Sequence, residues 1–312
     1  MTSSCCHSPL CAVGPGNRKG SQGGSVSTTV QGAFAAFRSA LEITDLQTQT
    51  VSTRQTNVRS AVAEDFTLLE DFLTGSYSRH TMIAPLKEAD IDIFVVLDPM
   101  HYERDGYAKL LDAVKTTLKE TYKQTPAISR NGQAVTITFT DFIVDVVPAF
   151  RRQGGGYLIP DSLGKRWLGT DPRKHVQISA AENKAHSGEL VPTIKMIKQW
   201  NKTIAFPFRS FHLEVLAWAI FDGVALSSFP SAMRFYFDKC RALVTKKNPD
   251  PAGYNPDVGS YLGSSNIDGA VTSLQTAYER AVKAEAYGKA GNHDLAIGEW
   301  RKVFGTRFPA YG

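Results

Sequence analysis

The spacing of apolar residues changes along this 312-residue chain, from helical intervals to strand-like runs and back. Apolar residues at intervals of three and four predict helices over residues 30–41 and 49–72. A β-branched run then predicts a buried strand over residues 91–97, and helical spacing returns over residues 107–122. The first half of the chain is therefore expected to contain a sheet preceded by helices.

Two alternating segments flank Thr140-Asp141, and they predict two strands that could pair as a hairpin, over residues 134–139 and 142–147. Pro148 is expected to end the second strand, because proline donates no hydrogen bond to a sheet. Beyond the glycine turn at residues 154–156 the strand signal is weak.

The second half of the chain has mainly helical spacing, with predicted helices over residues 189–200, 210–222, 231–244 and 267–290. Residues 245–265 are rich in Pro, Gly and Asn, which predicts a long loop of the kind that often has a function. These patterns indicate an α+β fold. A core lobe with its leading helices, residues 28–160, would precede a helical lobe, residues 161–312.

The first 27 residues are rich in Ser, Gly and Cys and show no periodicity, so they predict a flexible tail. Three of the four cysteines lie there beside His7, in a spacing that matches no standard zinc pattern: Cys5, Cys6 and Cys11. Cys240 stands alone in an apolar helical context and is expected to be a reduced core thiol. This cysteine usage favours a cytoplasmic protein.

The formal net charge of +5 suits anionic ligands such as nucleotides. It is too small, and its Lys and Arg residues are too dispersed, to predict tight binding to nucleic acid. No run is apolar and long enough to predict a membrane span, and the N-terminus has no signal-peptide core.

Three acidic residues in predicted strands form the strongest chemical signal. Asp90 and Asp92 are two residues apart, so they share one face of their strand. Asp145 lies in an otherwise apolar strand, where a carboxylate is costly unless it is paired or bound to a metal ion. Converging carboxylates repel one another, and a divalent cation removes that repulsion. Their oxygen ligands suit two Mg²⁺ or Mn²⁺ ions and phosphoryl transfer.

Gly75 and Ser76 supply a second candidate feature, ahead of the acids in the chain. Glycine allows the backbone to approach a phosphate closely, and the serine hydroxyl and the following N–H groups can donate to phosphate oxygens. Asp141 competes with Asp145 as the third acid, but it sits where a turn would place a solvated residue. Each feature alone is weak; their order along the chain is more specific.

The segments GSYSR, DIDIFVVL and DFIVDVVPAF carry a family resemblance. They resemble the nucleotidyltransferase superfamily that includes DNA polymerase beta, oligoadenylate synthase and cyclic GMP-AMP synthase. Residues 30–290 are more narrowly similar to the bacterial cGAS/DncV-like nucleotidyltransferases (CD-NTases), which generate the signal in CBASS anti-phage defence. The resemblance implies a polymerase-beta-like sheet lobe, a helical lobe and an active site in the cleft between them.

The same resemblance suggests residues that contact the nucleotide. VPTIKMIKQWNK resembles a helix whose lysine contacts phosphates, and Lys198 is favoured for that role, with Lys195 expected on a solvated face. FRSFHLEVLAW resembles a following helix start, where Ser210 matches a phosphate-contacting serine and Phe211 matches an aromatic that stacks on a base. A place in the core is the equal alternative for Phe211. A helix N-terminus suits an anion because its N–H groups are free.

Other residues in these segments are expected to be structural. His212 and Glu214 should make polar contacts where the lobes meet. The loop DPAGYNPD resembles a family loop near the mouth of the active site, and Tyr254 in it could stack on a base. A loop tyrosine more often has no such role.

The implied activity is template-independent synthesis of a cyclic dinucleotide or oligonucleotide from ribonucleoside triphosphates, ATP among them, with release of pyrophosphate. Asp90, Asp92 and Asp145 would hold two Mg²⁺ or Mn²⁺ ions, and Asp145 would help to activate the attacking hydroxyl. The catalytic half has no Cys/His insertion of the kind that binds DNA in the animal enzyme. Direct activation by DNA is therefore not expected, and the activity would instead depend on a regulatory partner protein or on constitutive expression.

Two alternatives stay open at this point. The same core could add nucleotides to an RNA end or to a protein, although such an enzyme would usually need a broader basic channel. The chain could instead be a nucleotide-binding pseudoenzyme, against which the intact acids and Gly75-Ser76 argue. The sequence does not determine the bases, the linkage or the ring size of a product.

Overall fold

The β-branched run forms the strand Asp90–Leu97, near the centre of a seven-stranded sheet. The structure is a computed structural model, and it describes residues 26–124, 127–205 and 208–312. The strands described are β1 Val26–Ser27, β2 Leu68–Leu73, β3 Asp90–Leu97, β4 Ala127–Asn131, β5 Ala134–Thr138, β6 Ile143–Arg151, β7 Tyr157–Asp161, β8 Arg166–Thr170 and β9 Ala310–Tyr311. Two of them, β1 and β9, pair separately near the chain ends. The predicted N-terminal tail lies, as far as residue 25, outside the described residues.

Some of the described helices pack on this sheet, and the others form a separate helical layer. They are α1 Val30–Ala40, α2 Asp45–Val62, α3 Gly75–Ser78, α4 Tyr107–Thr121, α5 Pro172–Ala185, α6 Leu190–Asn201, α7 Ser210–Phe221, α8 Phe229–Leu243, α9 Ser264–Lys289 and α10 His293–Phe304. None of the helices in the described ranges is long and apolar enough to cross a membrane.

The sheet has the strand order β2-β3-β6-β5-β4, and β7 and β8 extend it from the far end of β6. Only the pairing of β3 with β6 is parallel within this sheet; the other pairings are antiparallel. Helices α2 and α4 bury the apolar side chains on one face of both central strands, whereas Phe94 and Val147 are buried on the other face against β7. This pairing explains why the two central strands are almost continuously apolar.

The second layer is an all-helical core built around Trp200, Tyr236 and Trp300, which are at most 2% exposed. Helix α1 packs into this core with α6 and α10, although it precedes the sheet in the chain. Helix α6 is buried along nearly its whole length. Cys240 is buried here, as predicted, and burial raises the pKa of its thiol to about 12. The other cysteines lie outside the described residues.

The helix predicted over residues 49–72 is wrong in its second part. Helix α2 ends at Val62, and Leu68–Leu73 is the edge strand β2, in which Leu69 is 43% exposed. Antiparallel pairing with β3 fixes this conformation. A long-range partner overrides a local helical pattern here.

The prediction that Pro148 ends its strand is also wrong, because β6 continues to Arg151. Strand β5 pairs with β6 only as far as Val146, and β7 joins it only at Phe150. Pro148 therefore sits where one edge of β6 has no partner, so its missing N–H is tolerated. The weak strand signal beyond the glycine turn also failed to predict two strands, since β7 and β8 follow that turn directly and pair with each other.

A matched pair of leucine substitutions tests this assignment of the core. Leu111 of α4 is fully buried against the sheet, whereas Leu46 at the start of α2 is 73% exposed. We expect Leu111→Ala to lower the free energy of unfolding by about 2–5 kcal/mol, because it removes buried methyl groups and leaves a cavity. Leu46→Ala should change it by less than about 0.5 kcal/mol in urea denaturation. Equal losses would contradict the assignment.

Candidate active site

The parallel pairing of β3 with β6 brings two of the predicted acids together. Asp92 and Asp145 are partners in register, so their Cα atoms lie on neighbouring strands about 4.8 Å apart. Asp90 is two residues before Asp92 and therefore shares its face. The Thr136 hydroxyl, on β5, donates to Asp145 Oδ1 at 2.5 Å. Three carboxylates thus share one face at the start of two central strands.

The three carboxylates are partly buried and repel one another. Burial raises the pKa of Asp92 to about 7, and the charge of Asp145 adds to the rise. The pKa values of Asp90 and Asp145 are raised too, in both cases chiefly by burial. The Thr136 hydrogen bond partly offsets the rise for Asp145. A group of carboxylates that is costly to ionise is suited to binding a cation.

The carboxylate oxygens of this group are ligands that suit a divalent cation, but the side chains are not arranged to surround one completely. No set of three His, Cys, Asp or Glu side chains in the described ranges is arranged as a ready metal site. Asp145 is engaged by Thr136. Mg²⁺ usually takes one or two carboxylates and completes its shell with water and substrate phosphates. Asp90, Asp92 and Asp145 therefore suit a site that the substrate helps to assemble.

Gly75 is required by its contact with one of these acids. Its φ is +64°, and a Cβ atom at this position would lie 1.7 Å from Asp92 Oδ2. The Thr74 N–H donates to the Asp92 carbonyl at 2.9 Å, which ties the turn to β3. The sequence pattern predicted a glycine that allows a phosphate to approach. The structure shows a further reason, which is space for the Asp92 carboxylate.

A cleft of about 590 Å³ opens beside this turn, within the usual range for small-ligand sites. Its sheet side includes Gly75, Ser76, Asp90 and Asp92. Its helical side is lined by the last turn of α6, the start of α7 and the loop before α9, including Lys198, Asn201, Lys202, Arg209, Ser210, Phe211, His212, Asp250 and Asn255. The structure therefore brings the predicted phosphate-binding turn and helix start to one cavity with two of the acids.

Ser210 and Phe211 begin α7 at the cleft wall. Ser210 is exposed at the first position of this 12-residue helix, where backbone N–H groups are free to bind an anion. Phe211 is partly buried, with its ring 5.1 Å from the Arg79 guanidinium and 4.7 Å from the His175 ring. Much of the aromatic surface of Phe211 is thus already covered by protein.

Lys198 lies in the cleft wall but is engaged in a buried ionic network. Its Nζ is 2.7 Å from Glu214 Oε1 and also donates to the carbonyl and the hydroxyl of Thr81, at 3.1 and 3.0 Å. Arg79 donates to both oxygens of Glu214, at 2.7 and 3.0 Å. Burial alone would raise the pKa of Glu214, but the charges of Lys198 and Arg79 outweigh it and lower that pKa to about 2.

The expectation of a solvated face for Lys195 is wrong. Its side chain is 6% exposed and pairs with Glu42, because α6 is packed on almost every side. Asp141, the competitor for the third acid, is paired with Arg54 at 3.0 Å in the turn before β6. Its carboxylate is thus engaged by α2.

Two contacts fasten the predicted long loop between α8 and α9 to the rest of the cleft. Asp250 accepts a hydrogen bond from His175 Nε2 of α5, at 2.7 Å. The Tyr254 hydroxyl donates to the Gly155 carbonyl at 3.0 Å, and its ring lies against Gly169. Tyr254 thus anchors the loop to the sheet. His175 lines the cleft but was missed from the sequence, because its helix gave no clear periodic signal.

A family model described as the Second Messenger Oligonucleotide or Dinucleotide Synthetase domain matches residues 28–183, which is half of the chain. A curated relative, a cyclic AMP-AMP-AMP synthase from an Acinetobacter species, is 26% identical over 310 residues, covering 90% of this chain and 86% of the relative. A CBASS oligonucleotide cyclase, CdnC, from Escherichia coli strain KTE188 is 22% identical over 75% of this chain and 81% of its own length.

Solved structures agree with these matches at the level of the fold. CdnC of E. coli MS115-1 with ATP superposes with a TM-score of 0.73 at 19% identity, covering 90% of this chain and 99% of that one. The same protein has been solved as a CdnC:HORMA-deltaN complex, with a TM-score of 0.70 at 18% identity over 90% and 98% of the two chains. These structures establish the polymerase-beta-like fold of the present chain.

Two glycines with nearly equal backbone angles test the contact between Gly75 and Asp92. Gly223 has φ of +66° and open space where a methyl group would lie. Gly223→Ala should therefore lower the free energy of unfolding only by the backbone strain, about 1–2 kcal/mol. Gly75→Ala should add displacement of the Asp92 carboxylate and weaken Mn²⁺ binding. Mn²⁺ titration followed by electron paramagnetic resonance measures this. Equal Mn²⁺ affinity in the two variants would remove Asp92 from the ligand set.

The raised pKa of Asp92 gives a pH dependence with a definite sign. Without metal the folded protein holds the proton of the Asp92 carboxyl more tightly than the unfolded chain does, because the pKa of an aspartate in the unfolded chain is near 3.8. The free energy of unfolding should therefore fall as the pH rises from about 4 to about 7, and Asp92→Asn should flatten that slope. Mn²⁺ affinity should rise over the same range, because protons and cations compete. Urea denaturation and Mn²⁺ titration at pH 5.5 and 8 measure both effects; Mn²⁺ affinity that falls with pH would contradict this.

Proposed function

Because the chain belongs to the family of second messenger oligonucleotide or dinucleotide synthetases, and so is a nucleotidyltransferase, we propose that it joins ribonucleoside triphosphates into a cyclic oligonucleotide with Asp90, Asp92 and Asp145 as its catalytic acids. The observation that carries this assignment is the register of β3 and β6. It sets Asp92 opposite Asp145, beside a cleft that the Gly75-Ser76 turn also lines.

The reaction forms a bond between a ribose hydroxyl oxygen and the α-phosphorus of a second nucleotide, and it breaks the bond to the β-phosphate. Pyrophosphate leaves. Asp145 takes the hydroxyl proton on the oxygen that Thr136 does not contact. Asp90 and Asp92 would hold the two expected Mg²⁺ or Mn²⁺ ions, whose charge would stabilise the phosphates. A second round of the same chemistry closes the ring.

The substrate phosphates bind between the sheet and the helical layer in this proposal. Ser76 lies at the start of α3 and lines the cleft beside Gly75. Ser210 contributes a hydroxyl and the free N–H groups at the start of α7. Phe211 would contact a base with the part of its ring that Arg79 and His175 leave uncovered.

The relatives support finer parts of the proposal. The Acinetobacter relative is named for a product made of three AMP units, which supports ATP as a substrate. The relative from E. coli KTE188 is named for CBASS, which supports a role in anti-phage defence. The CdnC complex with HORMA-deltaN supports regulation by a partner protein.

An assay with labelled nucleotides tests the catalytic role directly. Purified protein is incubated with all four radiolabelled ribonucleoside triphosphates and Mg²⁺ or Mn²⁺, and a phosphatase-resistant product is separated by thin-layer chromatography. Asp90→Asn and Asp92→Asn should each reduce product by about 100-fold or more, because each removes a carboxylate that would hold a metal ion against the charge on the phosphates. Both variants should keep the fold.

Asp141→Asn is the matched control, since Asp141 is a partly exposed acid paired with Arg54 outside the cleft. It should retain most of the activity. Product formation by Asp90→Asn and Asp92→Asn at the wild-type rate would overturn the assignment. Omitting one nucleotide at a time would identify the bases of the product.

A further inference from the structure

His175 is a histidine of the cleft wall whose two ring nitrogens have different surroundings. It lies near the start of α5 and lines the cleft together with Thr170 and Pro172. Its Nε2 is 2.7 Å from Asp250 Oδ1. Its Nδ1 has no hydrogen-bond partner in the ranges that the structure describes, nor is it one of the unpartnered atoms that are sealed from solvent. Nδ1 is therefore the ring nitrogen that a ligand in the cleft can reach.

Asp250 determines which of the two nitrogens carries the proton. Burial by itself would raise the pKa of Asp250, but the hydrogen bonds from His175 and from the Ala252 N–H outweigh it and hold that pKa below its usual range. An ionised carboxylate only accepts hydrogen bonds, so the proton between the two side chains belongs to Nε2. Nδ1 of the neutral ring then presents a lone pair. The contact with Asp250 thus makes His175 a hydrogen-bond acceptor for the cleft.

This acceptor is held in place from several sides. Asp250 accepts hydrogen bonds from the backbone N–H groups of Ala252 and Tyr254, at 3.0 and 3.3 Å. The Phe211 ring packs against the imidazole, with the two centroids 4.7 Å apart. His175 and Asp250 are both buried. A fixed polar group discriminates between ligands, because a ligand without the matching group leaves it unpaired.

The sheet side of the cleft beyond the acids is an apolar floor. The residues that form it are Phe94, Val147, Ile159 and Leu168. Phe94 and Val147 lie two residues beyond Asp92 and Asp145, on the same faces of β3 and β6. A nucleotide whose phosphates lie at the acids can set its base on this floor, since a base has flat faces that stack and polar atoms at its edge.

The edge of a purine base decides what it can exchange with an acceptor such as Nδ1. Adenine carries a 6-amino group, which donates hydrogen bonds, where guanine carries a carbonyl oxygen, which accepts them. A lone pair on Nδ1 pairs with the amino group and is left unsatisfied by the carbonyl. Such an acceptor favours adenine over guanine.

We propose that His175 is a specificity-determining residue, in which Nδ1 accepts a hydrogen bond from the 6-amino group of adenine while Asp250 keeps the proton on Nε2. This inference rests on the proposed function for the identity of the substrate as a ribonucleoside triphosphate. It gives a second role to the contact between α5 and the loop that precedes α9. The carboxylate that fastens the loop also sets which base edge His175 accepts.

Two analogues of ATP that differ only in the 6-amino group test this pairing. Both carry a methylene bridge between the α- and β-phosphates, so they bind without reacting. One has adenine as its base and the other has purine, which lacks the amino group. With Mg²⁺, the wild type should bind the adenine analogue about 3- to 10-fold more tightly in isothermal titration calorimetry, as expected for one hydrogen bond. Equal affinities would overturn the proposal without any substitution in the protein.

His175→Gln separates recognition of the base from support of the loop. The amide nitrogen of glutamine can take the place of Nε2 and donate to Asp250, but glutamine has no atom in the place of Nδ1. We expect this variant to keep the thermal unfolding midpoint of the wild type and to bind the two analogues with equal affinity. A purely structural role of His175 predicts that the preference for adenine survives, and that result would overturn the proposal.

His186→Gln is the matched control, because His186 follows the last turn of the same helix and, like His175, is 8% exposed. Both of its ring nitrogens contact backbone carbonyls, those of Glu182 and Phe221, and it does not line the cleft. This variant should keep the wild-type preference for the adenine analogue. Loss of the preference in His186→Gln would show that it depends on α5 as a whole, and the assignment to Nδ1 would be wrong.

These outcomes are distinct from the fate of the proposed function. Binding of the analogues needs no catalysis, so a preference for adenine that His175→Gln removes would support this inference even if no oligonucleotide is made. Conversely, a wild type that makes an oligonucleotide but binds both analogues equally would retain the proposed function and overturn the role of His175.

Discussion

The parallel pairing of β3 with β6 is the constraint on which the site depends. It sets Asp92 against Asp145 and brings like charges together in a partly buried place. A shift of one residue in this register would turn one of the acids to the opposite face of the sheet. The apolar faces of the two strands, buried under α2 and α4, prevent that shift. The core thus holds an arrangement of charges that is unfavourable by itself.

A second constraint comes from Glu214, which is buried between two cations from different parts of the chain. Arg79 follows the glycine-serine turn and Lys198 belongs to α6, so one carboxylate connects the sheet to the helical layer. Removing one partner of such a buried pair typically costs about 3–5 kcal/mol, because a charge is left uncompensated. Glu214 thus holds together the two sides of the cleft, the glycine-serine turn through Arg79 and α6 through Lys198.

How far the sequence predicts these features depends on the range of the interactions. The period of two along a strand was enough to place Asp90 and Asp92 on one face, and a charge in an apolar strand singled out Asp145, which the structure places opposite Asp92. The environment of Lys198 could not be read in this way, because its acceptor Thr81 is 117 residues away in the chain. The same reason explains β2, whose residues continue a helical pattern but are fixed by pairing with β3. Local patterns predict elements and faces, whereas partners across the cleft require the fold.

The loop between α8 and α9 shows how a long irregular segment can complete such a cleft. Its acids are used as acceptors for its own backbone: Asp257 Oδ1 accepts from the N–H groups of Asn248 and Gly259, and Asp250 accepts from that of Ala252. Asp250 is also bonded to His175, so its charge is engaged on two sides. The loop consequently lines the cleft while the carboxylates of Asp250 and Asp257 are engaged by hydrogen bonds. A ligand that enters between the walls would meet the free N–H groups at the start of α7 on one side and the carboxylates of Asp90 and Asp92 on the other.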